Sequence, residues 1–224
     1  MEDVIILGVD IHALEIIDFL EQDGTYRVLG LIDQNAADIT DDKNDHDTEC
    51  CLATASRADF HGIPILGGAR ALNEYPGTKR IPLHVWKNRN DKTNWVNAIS
   101  KDAFVATSAV LGVGCVIYPR CFIGARTKIG DGVFMLSGSA VNHDCEIGEN
   151  VIVTTGVSLA GSIKIGRGAY LGQSCTIKQY ITVGEGSLVG MGAVVTRDVA
   201  DGVTVIGCPA RPYVKDEFHF KMSY

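Results

Sequence analysis

The sequence predicts a mainly β protein: a triangular parallel β-helix, preceded by a small α/β domain. Three observations carry that reading. Between Val105 and Val195 every sixth residue is aliphatic or Met, through Leu111, Ile117 and Ile123 to Val183 and Val189, and the register does not slip. The residues two positions before them, from Ala103 and Ala109 through Cys115, Cys121 and Thr127 to Ala193, carry no charge and no aromatic ring. A longer period lies on top: Gly112, Gly130, Gly148, Gly166 and Gly184 are spaced by eighteen, each followed two residues later by Gly114, Gly132, Asn150, Gly168 and Gly186. A six-residue repeat of this kind marks a parallel β-helix. Three hexads per coil give a prism of roughly five coils, each rising about 4.8 Å. The aliphatic positions stack inside, and each coil buries its faces only against its neighbours. Gly and Asn accept φ > 0 cheaply, so one corner in three is expected to turn through a left-handed residue.

The rest of the chain narrows the function classes. With 224 residues there is room for two small domains, expected at 1–100 and 101–224. A net charge of −7, with no basic stripe, argues against a nucleic-acid partner. No run of eighteen apolar residues occurs, so no membrane span is expected, and Met1-Glu2-Asp3-Val4 lacks the basic start of a signal peptide. Cys115, Cys121, Cys145 and Cys175 occupy the small interior position, where Cys acts as a compact hydrophobe. Cys50 and Cys51 lie in a polar stretch and Cys208 near the end. No C-x-x-C spacing supports zinc, and free thiols point to the cytoplasm.

The elements follow in order. Val4 to Gly8 reads as a short buried strand. His12 to Leu20 carries Ala13, Ile16, Ile17 and Leu20 at helical spacing, and Arg27 to Ile32 is a second apolar run closed by Asp33. Strand, helix, strand and acid together open a Rossmann-like unit. Gly8-Val9-Asp10-Ile11-His12 keeps only the first glycine of the dinucleotide fingerprint and gives little support to NAD. Asn35 to Phe60 is acidic and polar and reads as a solvated loop. Ile63 to Gly68 is a third strand and turn, Arg70 to Glu74 a short helix, Ile81 to Trp86 a fourth strand. Asn88 to Lys101, with Trp95, Val96 and Ile99 on one face, reads as a helix leading into the coils. Past Val195 the period breaks, and Thr196 to Gly202 are expected to leave the prism. The tail from Phe218 to Tyr224 is rich in aromatic residues.

The coils contain one histidine, His143. It lies two residues past the interior Val141, so its ring points out of the prism, and Asp144 follows it. A carboxylate beside an imidazole fixes its tautomer and suits it to general base catalysis. A single histidine in the coils leaves a three-histidine zinc site of the carbonic anhydrase kind without ligands.

The run Val141-Asn142-His143-Asp144-Cys145-Glu146-Ile147-Gly148 resembles the catalytic coil of hexapeptide-repeat acyltransferases. More narrowly it is similar to the nucleotide-sugar N-acetyltransferases of the bacillosamine and perosamine pathways, which acetylate 4-amino-4,6-dideoxy sugars, and to the related sialic acid O-acetyltransferases. The resemblance takes in the opening with Gly8 and His12, the segments Leu159 to Gly166 and Leu171 to Gln173, and the closing Gly207-Cys208-Pro209-Ala210-Arg211. It implies a left-handed coil and a parallel homotrimer. It further implies His143 as the base, Asp144 as its orienting acid (many relatives have Glu there) and the amide of Gly161 as oxyanion donor. Acetyl-CoA would lie near Ile152, Gln173 and Met191, with no metal. Gly8, Val9, Asp10 and Ile11 would meet a nucleotide diphosphate, and Asp33 and Gln34 its base or ribose. Two positions depart from the family pattern: Ile152 stands where some relatives have His, and Ile11 where the loop usually has a second Gly. Lys164, Arg167, Lys178, Arg197 and Arg211 are candidates for the CoA phosphates.

The resulting expectation is an acetyl-CoA-dependent N-acetyltransferase acting on a nucleotide-activated amino sugar. O-acetylation of sialic acid or another sugar remains open, because one base serves either acceptor. A non-catalytic scaffold built on the same prism also remains open.

Overall fold

The computed structural model describes residues 1–33, 59–67, 72–73, 75–86 and 90–213. The chain divides into two compact units, Met1–Val96 and Asn97–Tyr224.

Among its described residues, the first unit is a five-stranded sheet with one α-helix. Its strands are β1 (Glu2–Leu7), β2 (Tyr26–Ile32), β3 (Asp59–Phe60), β4 (Ile63–Gly67) and β5 (Lys79–Pro82), in the order β3-β4-β2-β1-β5. All neighbours are parallel except β3 and β4, which form a hairpin. The central strand β1 buries Val4, Ile5, Ile6 and Leu7 in succession, the unbroken apolar run of a strand covered on both faces. Helix α1 (Ile11–Asp23) begins where the Asp10 side chain accepts a hydrogen bond from the Ala13 amide and ends at Gly24 with φ 62°. These are the N- and C-caps its sequence encodes. Its buried face is Ala13, Ile16, Ile17, Phe19 and Leu20. Trp86 and Trp95 close the core against Ile5, Leu7 and Ile32.

Several expectations for this unit need correction. The fourth strand ends at Pro82, and Leu83 to Trp86 form a turn closed by the Trp86 amide on the Leu83 carbonyl. No helix lies within residues 90–101. Trp95 bridges to Arg80, and Ala98–Ile99 is already a coil strand paired with Val116–Ile117. Trp95, which suggested a helix face with Val96 and Ile99, is anchored in the core instead. The acidic stretch up to residue 58, most of the short helix at 70–74 and the aromatic tail lie outside the described residues.

The second unit is a left-handed parallel β-helix of about six turns. Its strands are two residues long, except the three-residue Thr204–Ile206, and stack on three faces. The first face runs from Ala98–Ile99 through Val116–Ile117, Phe134–Met135, Ile152–Val153, Tyr170–Leu171 and Leu188–Val189 to Thr204–Ile206. The second runs from Phe104–Val105 through Phe122–Ile123, Ala140–Val141, Ser158–Leu159 and Thr176–Ile177 to Val194–Val195. The third runs from Val110–Leu111 through Lys128–Ile129, Glu146–Ile147 and Lys164–Ile165 to Thr182–Val183. Stacked partners are eighteen residues apart, as in Phe122 on Ala140 and Ala140 on Ser158. From Ile117 to Val195 the second residue of each strand points inward and is buried, and burying each such side chain contributes on the order of 1.5–3 kcal/mol. The small positions are buried as expected, from Cys115 to Ala193.

The chain does not leave the prism after Val195. Val199 bridges to Val183, and Thr204–Val205 pair with Leu188–Val189. These partners are sixteen residues apart rather than eighteen, so the last coil is two residues shorter and drops out of the six-residue count. With Ala98–Ile99 at the other end, this raises the roughly five coils expected to about six.

The corners also differ from expectation. From Gly114 to Gly192 a residue with φ between 56° and 71° recurs every six residues, so all three corners turn through the left-handed region. Arg120, Arg126, Asp144, Ser162, Ser174 and Tyr180 adopt it alongside the glycines and Asn150. The coil itself imposes this turn: from Gly132 to Gly192 each corner amide donates to a carbonyl of the preceding coil, as in Asp144 to Ala125 and Ser162 to His143, both 2.9 Å. The row from Gly112 to Gly184 is glycine for another reason. A Cβ on Gly148 would lie 2.7 Å from the Arg167 backbone nitrogen, and one on Gly166 2.4 Å from that of Glu185. Successive coils come too close there for any side chain.

Candidate active site

His143 and Asp144 stand at the corner between the second and third faces. Gly124, one coil earlier, lies under the His143 backbone, where a Cβ would be 2.7 Å from the His143 nitrogen. Gly161, one coil later, lies against the ring itself: a Cβ there would be 2.5 Å from Cε1 and 2.7 Å from Nε2. The imidazole therefore rests across the Gly161 Cα, where any Cβ would push the ring aside.

The ring remains open to solvent, with 62% of the side chain exposed. Its Nδ1 lies 2.7 Å from Oδ2 of Asp144. A carboxylate only accepts, so Nδ1 donates the proton of this bond, and in the neutral ring the lone pair is on Nε2. Asp144 is held in turn by Arg126, whose Nε and Nη2 donate to Oδ1 and Oδ2 at 2.6 and 2.7 Å. This two-point hydrogen bond, helped by the one from His143, draws the Asp144 carboxyl down to about 2, so it is ionised throughout the neutral range. Sequence reasoning missed Arg126. The signal was present: Arg126 precedes Asp144 by eighteen residues, one coil up the same corner.

The expected catalytic residues His143, Asp144 and Gly161 thus come together. The Gly161 amide donates no hydrogen bond among the described residues, whereas its carbonyl accepts from Tyr180. The expected acetyl-CoA residues lie elsewhere on the prism. Gln173 and Met191 are stacked at the corner between the first and second faces, joined by the Gly192 amide on the Gln173 carbonyl at 2.8 Å, and Met191 is 77% exposed. Ile152 lies on the first face. Within one chain none of the three lies on His143's corner. Among the basic candidates, Lys164 and Arg167 are paired with Glu146 and Glu185, Arg211 donates to the Ala210 carbonyl, and Lys178 and Arg197 are exposed.

The thiols inside the coils are buried and poorly placed to act as nucleophiles. Burial pushes Cys115 and Cys121 up to about 11 and Cys175 to about 12. No group of three or more His, Cys, Asp or Glu side chains among the described residues is placed to hold a metal. No described helix is long and apolar enough to cross a membrane.

In the first unit, Gly8 follows β1 with φ 116°, and a Cβ there would be 2.8 Å from the Val85 side chain. Its amide donates to the Ile32 carbonyl at 2.9 Å, which ties the loop of Gly8, Val9, Asp10 and Ile11 to the end of β2 and the buried Asp33. Ile11 is exposed, and Gln34 lies outside the described residues. Asp10 caps α1 and faces His84 at 3.8 Å, and the His84 ring stands edge-on to His12 at 5.2 Å. His84 thus stands beside the loop of Gly8 to Ile11, a placement the sequence did not show. The carboxyl ends of parallel strands are where open α/β sheets bind ligands.

Comparison with solved structures decides the family resemblance. A histidine-to-alanine variant of GDP-perosamine N-acetyltransferase from Caulobacter crescentus, in complex with CoA and GDP-perosamine, is 27% identical, with a TM-score of 0.80 over 96% of this chain and 98% of that one. The chain resembles the hexapeptide-repeat sugar N-acetyltransferases over nearly its whole length. The acetyltransferase domain of PglB from Neisseria gonorrhoeae, in complex with acetyl coenzyme A, shares the fold at 24% identity, with a TM-score of 0.77 over 95% of this chain and 99% of that one. WeeI from Acinetobacter baumannii shares it at 23% identity, with a TM-score of 0.74 over 95% and 100%. Neither a scan of protein-family models nor a search of curated proteins finds a match. The expected fold and the expected acyltransferase class are both borne out by these likenesses.

Proposed function

We propose that the protein is an acetyl-CoA-dependent N-acetyltransferase acting on the amino group of a nucleotide-activated 4-amino-4,6-dideoxy sugar. The observation that carries this reading is His143: an exposed imidazole with Nδ1 bound to an ionised carboxylate and Nε2 free, lying across Gly161. The likeness to an enzyme whose structure holds CoA and GDP-perosamine supplies the substrate class.

The neutral sugar amine attacks the thioester carbonyl, and the C–N bond forms as Nε2 takes the amine proton. The carbonyl oxygen becomes an oxyanion, which the Gly161 amide stabilises. Collapse breaks the C–S bond, and the imidazolium returns the proton to the departing thiolate. No covalent enzyme intermediate is needed, in keeping with the buried thiols. Holding amine and thioester in line supplies much of the acceleration.

In this reading residues 1–100 form the nucleotide-sugar-binding domain, with Gly8 to Ile11 at the diphosphate and Asp33 and Gln34 at the base or ribose. Residues 101–224 form the acyltransferase domain. A second copy completes the acetyl-CoA site. His143 and the Gln173–Met191 pair flank the second face, whose outward residues Phe104, Phe122, Ala140, Ser158, Thr176 and Val194 include no charge. The Phe104 and Phe122 rings stack there at 5.1 Å, both exposed. The third face carries the charged ladder Lys128, Glu146 and Lys164. A homotrimer packed through second faces brings Ile152, Gln173 and Met191 of one chain toward His143 of the next. A cytoplasmic location goes with reduced thiols and a CoA substrate.

The test is acetyl-CoA consumption against UDP-, GDP- and dTDP-linked amino sugars, with the product's new bond assigned by NMR. An amide on the 4-amino nitrogen is the expected result. An ester on a sugar hydroxyl would replace the reading by O-acetylation, and no turnover by folded protein would favour a scaffold.

A further inference from the structure

We propose that Arg126 is a positioning residue of this active site, and that the working base is the chain Arg126–Asp144–His143 rather than a histidine–carboxylate pair. This deepens the reading above and rests on it. The geometry is specific. Nε and Nη2 of Arg126 reach both carboxylate oxygens, and Oδ2 is shared between Nη2 and the imidazole Nδ1. A guanidinium fork fixes the plane of a carboxylate as well as its position. Asp144 turns its backbone through φ 59°, as does Arg126 at 58°, so both side chains leave the same corner one coil apart. The Arg126 amide is itself tied to Ser108 Oγ at 3.2 Å. Asp is a short arm, and the second anchor from Arg126 holds its carboxylate in the plane that His143 uses.

The shared oxygen also sets how strongly Asp144 acts on the ring. The groups around His143 are Asp144 on its own corner, Arg126 one coil up, and the uncharged Gly161 and Ser162 one coil down. A carboxylate divided between a fixed cation and the imidazole favours the protonated ring less than an undivided one does. Arg126 therefore orients the base while tempering it. Two opposite consequences follow. Without Arg126 the acidic limb of the kcat/KM–pH profile moves to higher pH, because the carboxylate then serves the imidazolium alone. Without the Asp144 charge the limb moves to lower pH, because the guanidinium then faces the ring unopposed.

The experiment uses the full-length protein with acetyl-CoA and whichever nucleotide amino sugar it turns over. The variants are Arg126→Met, Arg126→Lys and Asp144→Asn. Arg126→Met is expected to lower kcat by on the order of tenfold, well short of the roughly 10²–10⁴-fold that a lost base costs, and to move the acidic limb upward. Asp144→Asn is expected to move it downward. Arg126→Lys keeps the charge without the fork, so it is expected to restore the limb more fully than kcat. Thermal melting of each variant shows that it is folded, and circular dichroism serves as a second check. Unchanged kcat and limb in folded Arg126→Met would overturn the proposal, as would limbs that move in the same direction in Arg126→Met and Asp144→Asn. Failure of the wild-type protein to acetylate any sugar would instead overturn the function on which it rests.

Discussion

Two corners of the same prism share one backbone and differ in every side chain. The corner between the third and first faces turns through Gly114, Gly132, Asn150, Gly168 and Gly186, residues that accept φ > 0 readily. The corner between the second and third faces turns through Arg126, Asp144, Ser162 and Tyr180 at φ between 58° and 64°, with no glycine among them. An L-residue with a Cβ costs about 1–2 kcal/mol in that conformation. The first corner is built for the fold. The second accepts strain in four successive coils, and His143 lies on it. Non-glycine residues in left-handed backbone tend to gather at functional sites, and here they supply the guanidinium, the carboxylate and the coil that supports Gly161. Tyr180, 73% exposed at φ 64°, is the bulkiest of them.

The comparison can be broken at both corners. The largest stability loss is expected from Gly148→Ala, where the new Cβ meets the Arg167 backbone at 2.7 Å. Backbone crowding of this kind costs about 1–3 kcal/mol, read from urea unfolding. Gly168→Ala has nothing within 4 Å of the new Cβ and pays only for its φ of 64°, so a loss of about 1 kcal/mol is expected. The reverse change on the strained corner, Tyr180→Gly, is expected to stabilise by up to about 1 kcal/mol, a rise of roughly 2–4 °C in Tm for a chain of this size. If Tyr180→Gly destabilises as much as Gly168→Ala does, the two corners do not differ as described.

The smallest effect is the titration of Asp144. Its native carboxyl is lowered from 3.8 to about 2, first by Arg126 and then by His143. A depressed native value means that the ionised form favours folding. This contribution is therefore fully present above about 3.8 and is lost as pH falls toward 2. Carboxyl-resolved NMR is expected to find a midpoint near 2 for Asp144, rising toward 3.8 in Arg126→Met.

The prism was legible wherever its repeat was intact, because inward residues such as Leu159 and Ile177 answer only to the coil they fill. The places where reading failed have physical reasons. Val199 and Val205 sit in a coil shortened by two residues, so a count in sixes loses them. Trp95, Val96 and Ile99 imitate a helix face, but a Trp anchored in a sheet core and the start of a coil strand share that spacing by accident. Arg120, Arg126 and Tyr180 do not announce left-handed backbone, because hydrogen bonds to the preceding coil impose it. The site was half legible. His143 stood out as the one histidine in the coils. Arg126 needed a second step, reading each corner down the prism at intervals of eighteen, which sets it beside Asp144.

The most direct measurement is acetyl transfer by His143→Ala beside the wild-type protein, with the same nucleotide amino sugar and matched thermal melts. His143 is largely exposed, so the fold is expected to survive while turnover falls by roughly 10²–10⁴-fold. Undiminished acetyl transfer by the folded variant would contradict His143 as the base and, with it, the reading of its corner as the catalytic one.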